Sequence, residues 1–455
     1  MNDFSIKNLI FQDKEIEIID INQSKNNDQD KITITFKSIN PNHPEYCEKC
    51  GCVNFGSKDY YIRKIKHVNL SNDIECELLF KQKRFKCLEC NKTCNEVSDI
   101  VEKSARVSTG LKEKIKKECS YGRTIIDVAY TNNVSDTTVN NIYNENVEIE
   151  RNPLSEIICI DEFKGPAIEG KLIFIIVNPI DNEVIDILPS RKQTYLIDYF
   201  KKIDIKEREK VKYVVTDLCP VYLYIIKSMF PKAKHIADRF HWIRLITNAV
   251  QQIRIIAMKF HLKVAIKEVG SENKNKLKYN DHFIMYKILK EHYRLLNFNT
   301  KHGPQEYLRS QGHIYGDNYK YTNQEILEKI LNNDNDLLEA YEYLQELYYI
   351  VYNVQYKEAR KELIRWCEKI KKSANKNIYP LKKVIDTIYE WENQIVNSFI
   401  ISDELGGNIT NGIVEAKNNV AKTIIKNSYG KNDFKKFRKQ FLESERIRKE
   451  NNEIY

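Results

Sequence analysis

Two Cys-x-x-Cys pairs near the start of the chain constrain its fold more than any other feature. The pairs are Cys47 with Cys50 and Cys87 with Cys90. Each pair places two soft thiolates at the separation that a tetrahedral zinc ion needs. We therefore predict one structural Zn²⁺ held by these four cysteines in a β-rich module over residues 1–100. Three further residues are alternatives for one of the ligand positions: Cys52, His67 and Cys94.

The length and composition favour a cytoplasmic protein with several domains and no membrane segment. The chain has 455 residues, of which 42% are hydrophobic, and single hydrophobic cores stop growing near about 250 to 300 residues. No stretch approaches the roughly 18 apolar residues of a membrane span. Residues 1–10 lack the basic flank and apolar run of a signal peptide. In a reducing cytoplasm, eleven cysteines favour metal binding over disulfides.

Residues 101–150 have the periodicity of a small helical domain. Within it, residues 124–146 match a helix-turn-helix, with Ala129 as the small residue of the first helix and Ser135 or Asp136 as the cap of the second. The second helix would present short polar groups to base edges in a major groove. These groups are Thr137, Thr138, Asn140, Asn141 and Asn144. A helical hairpin used only for packing is the alternative, and the net charge of +9 does not by itself indicate a polyanionic partner.

From residue 151 onward, apolar strands and amphipathic helices follow in the order βββαβαβ, which is that of a ribonuclease-H-like fold. Residues 151–261 form the first part of this domain. Residues 262–400 are helical throughout and form an all-helical insertion, and residues 401–455 supply C-terminal helices and a basic tail. The predicted fold class is therefore multidomain α/β, with the zinc-binding β module and the helix-turn-helix ahead of an interrupted ribonuclease-H-like catalytic domain.

Three carboxylates are candidates for the chemistry of that domain. Asp161 and Asp217 each end an apolar strand, where ligands gather in open α/β sheets. Glu415 lies on a polar helix face one turn after Asn411. Together these carboxylates can hold two Mg²⁺ or Mn²⁺ ions on either side of a scissile phosphate. Glu162 is excluded because strand side chains alternate between faces. A solvated surface position is the alternative for each carboxylate taken alone.

In their order along the chain, these features resemble the transposases of the ISL3 insertion-sequence family. The motifs that carry the resemblance are RFKCLEC (84–90), IDEF (160–163), TDLCP (216–220), FPKA (230–233), ADRFH (237–241), TNGIVE (410–415) and YG (429–430). Cys219 and Thr410 depart from the family pattern without removing a ligand.

The resemblance implies an Asp-Asp-Glu triad, which falls on Asp161, Asp217 and Glu415. It also implies a helical insertion between the second and third members. Asp238 and His241 match the Asp-x-x-His pair found near such active sites. The alternative for this pair is a histidine at a helix start that only satisfies a neighbour by hydrogen bonding.

The predicted function is therefore that of a transposase, which binds the terminal inverted repeats of its own element, cleaves there and joins the freed 3′ hydroxyl to target DNA. Its partners are double-stranded DNA and at least one more copy of the chain, as a homodimer or higher oligomer, because two ends must be brought together. A non-catalytic DNA-binding regulator derived from such an enzyme and a structure-specific nuclease are the alternatives. Trp366 is either a base-stacking residue or a buried core residue.

Overall fold

A computed structural model describes residues 11, 15–26, 29–71, 74–145, 148–168, 170–427 and 433–453. The chain forms two compact units, one of Met1–Glu150 with Ala421–Tyr455 and one of Arg151–Val420. This confirms a multidomain chain of mixed α/β composition. The YG motif at 429–430 lies outside the described residues. Within the part of the chain that the structure describes, no helix is long and apolar enough to cross a membrane.

The first unit begins with a five-stranded sheet. Its strands are β1 (Ile16–Asn26), β2 (Gln29–Ser38), β3 (Phe55–Lys66), β4 (Ile74–Cys87) and β5 (Thr93–Asn95). The order is β1-β2-β4-β3, and β5 pairs with β4. Alternate residues of β4 are buried, as expected for a sheet with one face on a core. Phe80 of β4 stacks on Phe36 of β2, with ring centroids 4.7 Å apart.

Three short helices follow the sheet: α1 (Thr109–Ser120), α2 (Ile125–Thr131) and α3 (Asp136–Tyr143). Each helix is capped by a hydroxyl side chain that accepts a hydrogen bond from the backbone N–H three residues later. The capping residues are Ser108, Thr124 and Ser135, respectively. Ser135, rather than Asp136, is thus the cap of α3. The chain turns between α2 and α3 at Asn133, whose φ is 51°, a left-handed conformation that asparagine tolerates well.

The second unit contains a central five-stranded sheet. Its strands are β6 (Ile157–Lys164), β7 (Leu172–Asn178), β8 (Glu183–Leu188), β9 (Tyr213–Thr216) and β10 (Lys234–Ala237). The order is β10-β9-β6-β7-β8. The first three strands pair antiparallel, whereas β9 and β10 run parallel to β6. Cys159 of β6 pairs with Val215 of β9, so Asp161 and Asp217 both lie two residues further along, at the same end of the sheet.

Helices cover the sheet of this unit. The first three are α4 (Gln193–Lys201), α5 (Ile205–Arg208) and α6 (Pro220–Met229). Leu196 and Phe200 of α4 and Ile225 of α6 share a core with Ile158 and Ile160 of β6. The even-numbered residues of β6 therefore face this core, and the odd-numbered residues, including Asp161, face the other side.

A large region, mainly helical, follows β10; the prediction that residues 262–400 are helical throughout was wrong, because a short antiparallel pair of strands lies within them. Its elements are α7 (Arg239–Val269), α8 (Lys274–Leu277), α9 (Asp281–Glu291), α10 (Gln305–Arg309), β11 (Gln311–His313), β12 (Lys320–Thr322), α11 (Asn323–Asn333), α12 (Asn335–Asn353), α13 (Tyr356–Lys372), α14 (Tyr379–Glu390), α15 (Glu392–Asn397), β13 (Ile401–Ser402), β14 (Gly407–Asn408) and α16 (Gly412–Asn427). The long helix α7 contacts α9, α12 and α14. Trp366 of α13 is 1% exposed, and its Nε1 donates to the carbonyl of Tyr343, so it is a core residue.

The last helix, α17 (Phe434–Glu453), belongs to the first unit. The Glu443 carboxylate accepts from the Tyr143 hydroxyl at 2.8 Å and from the Ser120 hydroxyl at 2.7 Å. Buried Lys439 donates to the Tyr143 carbonyl. These bonds hold α17 against α1 and α3. The boundary between the units lies between Val420 and Ala421. The segment 401–455, predicted as one part, is therefore divided between the two units.

Candidate metal centres and active site

The four predicted cysteines of the first unit come together in one cluster. The Sγ atoms of Cys47, Cys50, Cys87 and Cys90 all lie within 4.8 Å of one another. Cys47 and Cys90 are 3.6 Å apart, as are Cys50 and Cys87. A tetrahedral zinc ion with Zn–S bonds of about 2.3 Å separates its sulfurs by about 3.8 Å. The cluster therefore fits a structural Zn²⁺.

Each pair of cysteines sits in a tight turn with the same geometry. Gly51 donates its N–H to the carbonyl of Cys47 at 2.7 Å, and Asn91 donates to that of Cys87 at 3.1 Å. Both residues have positive φ, 73° and 60°, so the chain turns in the same way directly after the second cysteine of each pair. Hydrogen bonding from the Lys49 backbone lowers the pKa of the Cys47 thiol to about 6. Hydrogen bonding from the Cys90 backbone likewise lowers the pKa of Cys87, so the first cysteine of each pair favours the thiolate, which is the form that binds metal.

The three alternative ligands are not part of this cluster. Cys52 makes its contacts with the backbone of Asn54, and the His67 ring lies 2.8 Å from the Ser108 hydroxyl. Burial raises the pKa of Cys94, which disfavours its thiolate. The spacing of the two Cys-x-x-Cys pairs was therefore the correct guide to the set of four.

In the second unit, Asp161 is partly buried and lies inside β6, not at its end as predicted, because β6 continues to Lys164 in its pairing with β7. Burial, with a contribution from the nearby Asp217 carboxylate, raises the pKa of Asp161 to about 6. Asn418 of α16 donates its Nδ2 hydrogen to Asp161 Oδ2 at 2.7 Å. The carboxylate is thus held in one orientation by a residue of a distant segment.

Asp217, Asp238 and His241 form a second cluster of potential metal ligands. His241 Nδ1 lies 2.8 Å from Asp238 Oδ2 and 2.7 Å from Asp217 Oδ1. Contacts with Asp217 and Asp238 raise the pKa of His241 to about 10. Nδ1 carries one hydrogen, so it can donate to only one of the two carboxylates at a time, and the other oxygen then lies close to the ring without a hydrogen bond from it.

The start of α16 is fixed against the same edge of the sheet. Asn411 donates its backbone N–H to Asp238 Oδ1 at 3.1 Å and its side-chain Nδ2 to the Ile160 carbonyl at 3.0 Å. Residues 411, 415 and 418 share one helix face because they are separated by four and three positions. Glu415 is exposed on that face, between the two asparagines that contact β6 and Asp238.

Three buried oxygens in this region have no hydrogen-bond partner among the described residues: Asp217 Oδ1, Asn411 Oδ1 and Asn418 Oδ1. Buried oxygens of this kind are rare in folded proteins because an unpaired acceptor loses its hydration. Carboxylate and amide oxygens are the donors that suit Mg²⁺ or Mn²⁺. The donor set therefore fits a divalent metal, although the 4.8 Å cluster includes neither Asp161 nor Glu415.

Glu162 lies on the opposite face of β6 from Asp161. Its Oε2 is 3.0 Å from Arg191, and its Oε1 accepts from the Tyr222 hydroxyl. Tyr222 belongs to the core beneath α4 and α6. The side chain is thus occupied away from Asp161, as the alternation along the strand predicts.

The five candidate DNA-contacting residues of α3 differ in their surroundings. Thr138 lies 2.8 Å from the Ser135 hydroxyl, and Asn144 donates to Asn140 Oδ1 at 2.8 Å. Thr137 and Asn141 are exposed. Two of the five therefore project outward, and three are engaged within the helix and its cap.

One functional contact is absent from the sequence analysis: the bond of Asn418 to Asp161. The available signal was its place on the polar face that carries Asn411 and Glu415. That pattern shows which residues share a face, but the partner of the face depends on the fold.

Comparison with known families supports a role in DNA transposition. The model of the ISL3 family, described as transposase, matches residues 158–441, which is more than half of the chain. No curated protein matches the sequence. The family match confirms the resemblance carried by the sequence motifs. The chain therefore belongs to the ISL3 family of transposases.

Proposed function

We propose that the chain is an active transposase of the Asp-Asp-Glu type. It binds the terminal inverted repeats of its own element, cleaves a DNA strand there and joins the freed 3′ hydroxyl to target DNA. The single observation that carries this proposal is the convergence of Asp161, Asp217, Asp238 and His241 at one end of the parallel strands β6, β9 and β10.

The sheet supports the assignment of a ribonuclease-H-like fold to the catalytic domain. Three antiparallel strands are followed by two strands parallel to the first, which lies in the centre. In this proposal the domain comprises residues 151–261 and 401–420, since the remainder of the predicted segment 401–455 belongs to the first unit, and the segment 262–400 forms an insertion between Asp217 and Glu415. The helices of this segment pack around α7 and α12 in one core, which they share with Ala237 and with buried residues of 242–257 in the preceding part.

Asp161, Asp217 and Glu415 would hold the divalent metal ions, with Asp238, His241 and Asn411 as auxiliary residues. Two bound Mg²⁺ or Mn²⁺ ions would activate the attacking oxygen and stabilise the leaving 3′ oxygen. The protein itself supplies the positions of the carboxylates. Asn418 orients Asp161, and the backbone of Asn411 orients Asp238. Partners of this kind fix the direction from which a carboxylate approaches its ligand.

The first unit would recognise the DNA. In this proposal α2 and α3 are a helix-turn-helix, α3 contacts base edges, and the zinc module over residues 1–100 positions it. The bonds of Glu443 with Tyr143 and Ser120 hold α3 firmly on α17, so it is a rigid element. Bringing two element ends together requires at least a dimer.

The test is a strand-cleavage assay on a duplex that carries the inverted repeat flanking the gene, in Mg²⁺. Asp161→Asn, Asp217→Asn and Glu415→Gln should each lower the cleavage rate by at least about a thousandfold, because each would remove a charged metal ligand. Binding of the uncleaved duplex should persist, since these residues neutralise no phosphate.

Glu162→Gln is the matched control, because Glu162 lies on the same strand and faces Arg191 and Tyr222 instead. It should cleave at close to the native rate. Near-normal cleavage by Glu415→Gln together with loss in Glu162→Gln would contradict the proposed triad.

A further inference from the structure

A cavity of about 1340 Å³ adjoins the proposed active site. Asp238, Thr410 and Glu415 line one part of it, and residues of α7, α12 and the segment around Arg294 line the remainder. Small-molecule sites occupy about 300 to 1,000 Å³, so this cavity has room for a segment of a polymer. None of the roles proposed above for the catalytic carboxylates explains the chemistry of the remaining lining.

That lining offers positive charge that no described carboxylate neutralises, although Arg294 donates its Nε hydrogen to the Tyr293 hydroxyl at 3.3 Å. Arg244 and Arg294 are exposed on the cavity wall, and within the part of the chain that the structure describes neither forms an ion pair with a carboxylate. Asp238, by contrast, is already paired with His241. Arginine binds phosphate through a planar fork of donors. The two guanidinium groups are therefore available to an anionic backbone.

The same wall presents two aromatic rings to the cavity. Phe240 is 57% exposed and Tyr352 is 61% exposed, although a ring of this size usually packs inside a protein. The Arg244 guanidinium lies 5.8 Å from the centre of the Phe240 ring, and His302 stacks on Tyr352 with centroids 4.9 Å apart. A flat ring next to an unpaired arginine is the combination that binds a nucleotide of single-stranded DNA.

Phe240 also has a defined position relative to the proposed chemistry. It lies between Asp238 and His241 in sequence, and its ring meets that of His241 at 5.5 Å. A base stacked on Phe240 would therefore belong to a nucleotide close to the proposed catalytic residues. In a duplex the faces of each base are covered by its neighbours, so only an unstacked base can pack on such a ring.

We propose that this cavity binds an unpaired nucleotide of the DNA substrate next to the scissile phosphate. The base packs on Phe240 or Tyr352, and the flanking phosphates contact Arg244 and Arg294. This inference rests on the proposed function, because it places the scissile phosphate at the carboxylate site.

The experiment measures the fluorescence anisotropy of a fluorescein-labelled oligothymidylate as full-length, zinc-loaded protein is added. The oligothymidylate has about ten nucleotides, which is within the length range of single-strand sites. A duplex of equal length is measured in parallel. Phe240→Leu and Arg294→Gln should each raise the Kd for the single strand about tenfold, because base stacking and a phosphate contact each contribute at this scale.

The matched controls are Phe260→Leu and Arg309→Gln. Phe260 lies on the same helix as Phe240 and is 58% exposed, and Arg309 is an exposed arginine of α10; neither lines the cavity. Both controls should bind the single strand like the native protein, and all four variants should bind the duplex like the native protein.

Native-like single-strand binding by Phe240→Leu and Arg294→Gln would overturn the inference, and so would an equal loss on the duplex. Either result leaves the carboxylate variants and their cleavage assay unaffected. Normal cleavage by Asp161→Asn and Asp217→Asn would instead reject the proposed function, whatever the single strand shows.

Discussion

The two candidate metal centres of this chain are built in different ways. The cysteine cluster takes its ligands from two short turns, each of which brings its two sulfurs together within four residues. The carboxylate site is assembled from the ends of β6, β9 and β10 and from α16, and its Asn418 to Asp161 bond joins residues 257 positions apart. One centre follows from local spacing, whereas the other depends on the packing of a whole unit.

The difference determines what holds each centre together. The cysteine turns lie in a small sheet module, and metal binding typically supplies much of the folding free energy of such modules. The carboxylates are instead positioned by buried amides, because Asn411 and Asn418 donate hydrogen bonds directly to Asp238 and Asp161. We therefore expect metal removal to unfold the first centre and to leave the second in place.

The largest expected effect is the loss of zinc from the cysteine cluster. Cys87→Ser removes one of the four thiolates, and structural zinc sites contribute about 10 to 16 kcal/mol of apparent binding free energy. The native chain should contain one zinc per molecule by elemental analysis. Hydrogen exchange should show lost protection across β3 and β4 in the variant, while the strands of the second unit keep theirs.

Cys52→Ser is the control for the cysteine cluster, since Cys52 is adjacent to it in sequence and contacts Asn54 instead. It should retain its zinc and its protection. A native chain that contains less than about half an equivalent of zinc would remove the distinction between the two centres.

The second prediction concerns the bond that joins α16 to β6. Asn418→Ala should leave the fold intact and lower Mg²⁺-dependent cleavage by about 10- to 100-fold, the usual range for a residue that orients a metal ligand. The Mg²⁺ concentration for half-maximal rate should rise with it. Asn419→Ala changes the exposed neighbour on the same helix and should cleave normally. Equal losses in both variants would mean that the helix, and not this bond, is what matters.

The sequence was sufficient to predict the features that depend on short-range geometry. The spacing of Cys47, Cys50, Cys87 and Cys90 predicted their cluster. The alternation along β6 predicted that Asp161 and Glu162 would face opposite sides. The apolar run Tyr213–Thr216 predicted the strand that Asp217 follows, because β-branched residues favour strands, whereas the prediction that Asp161 ends its strand was wrong.

Contacts between distant segments were not predictable in the same way. The polar face of α16 was visible in the spacing of Asn411, Glu415 and Asn418, but not the strand that it would meet. Arg244 and Arg294 come together only because α7 folds back on later helices. No local pattern distinguishes these two arginines from the many basic residues of a chain with 73 Lys and Arg.

A third prediction uses the buried histidine beside the carboxylate site as a probe of the assembled unit. His235 on β10 is buried, its Nε2 lies 2.6 Å from the Thr216 hydroxyl, and burial lowers its pKa to about 4. The unfolded histidine has a pKa near 6.5, so the unfolded chain gains the proton first as the pH falls. Stability is complete at pH 7 and decreases between about pH 6.5 and pH 4.

The expected loss at pH 5 is about 2 kcal/mol relative to pH 7. The three tryptophans, Trp242, Trp366 and Trp391, all lie in the second unit, so urea unfolding followed by tryptophan fluorescence reports on that unit. His235→Gln should remove this part of the pH dependence. An unchanged pH dependence in the variant would show that other groups are responsible.

The smallest expected effect returns to the first unit and to its proposed reading helix. Thr138 belongs to the cap of α3, and Asn140 and Asn144 bond to each other, so Asn141 is the exposed asparagine that remains for a base edge. An asparagine that contacts adenine contributes about 1 to 3 kcal/mol of discrimination between bases. The loss in Asn141→Ala should lie near the lower limit of this range, because the neighbouring polar side chain of Thr137 stays in place. The Kd for a duplex with the inverted repeat should therefore rise about five- to tenfold, whereas the Kd for an unrelated duplex should stay the same, since phosphate contacts position the protein without specifying sequence.

Asn144→Ala is the control. It removes only the contacts of Asn144 with Asn140 and should affect the affinity for both duplexes alike. An equal loss of affinity for both duplexes in Asn141→Ala would mean that α3 does not read the DNA sequence. The first unit would then contribute to end recognition through other residues.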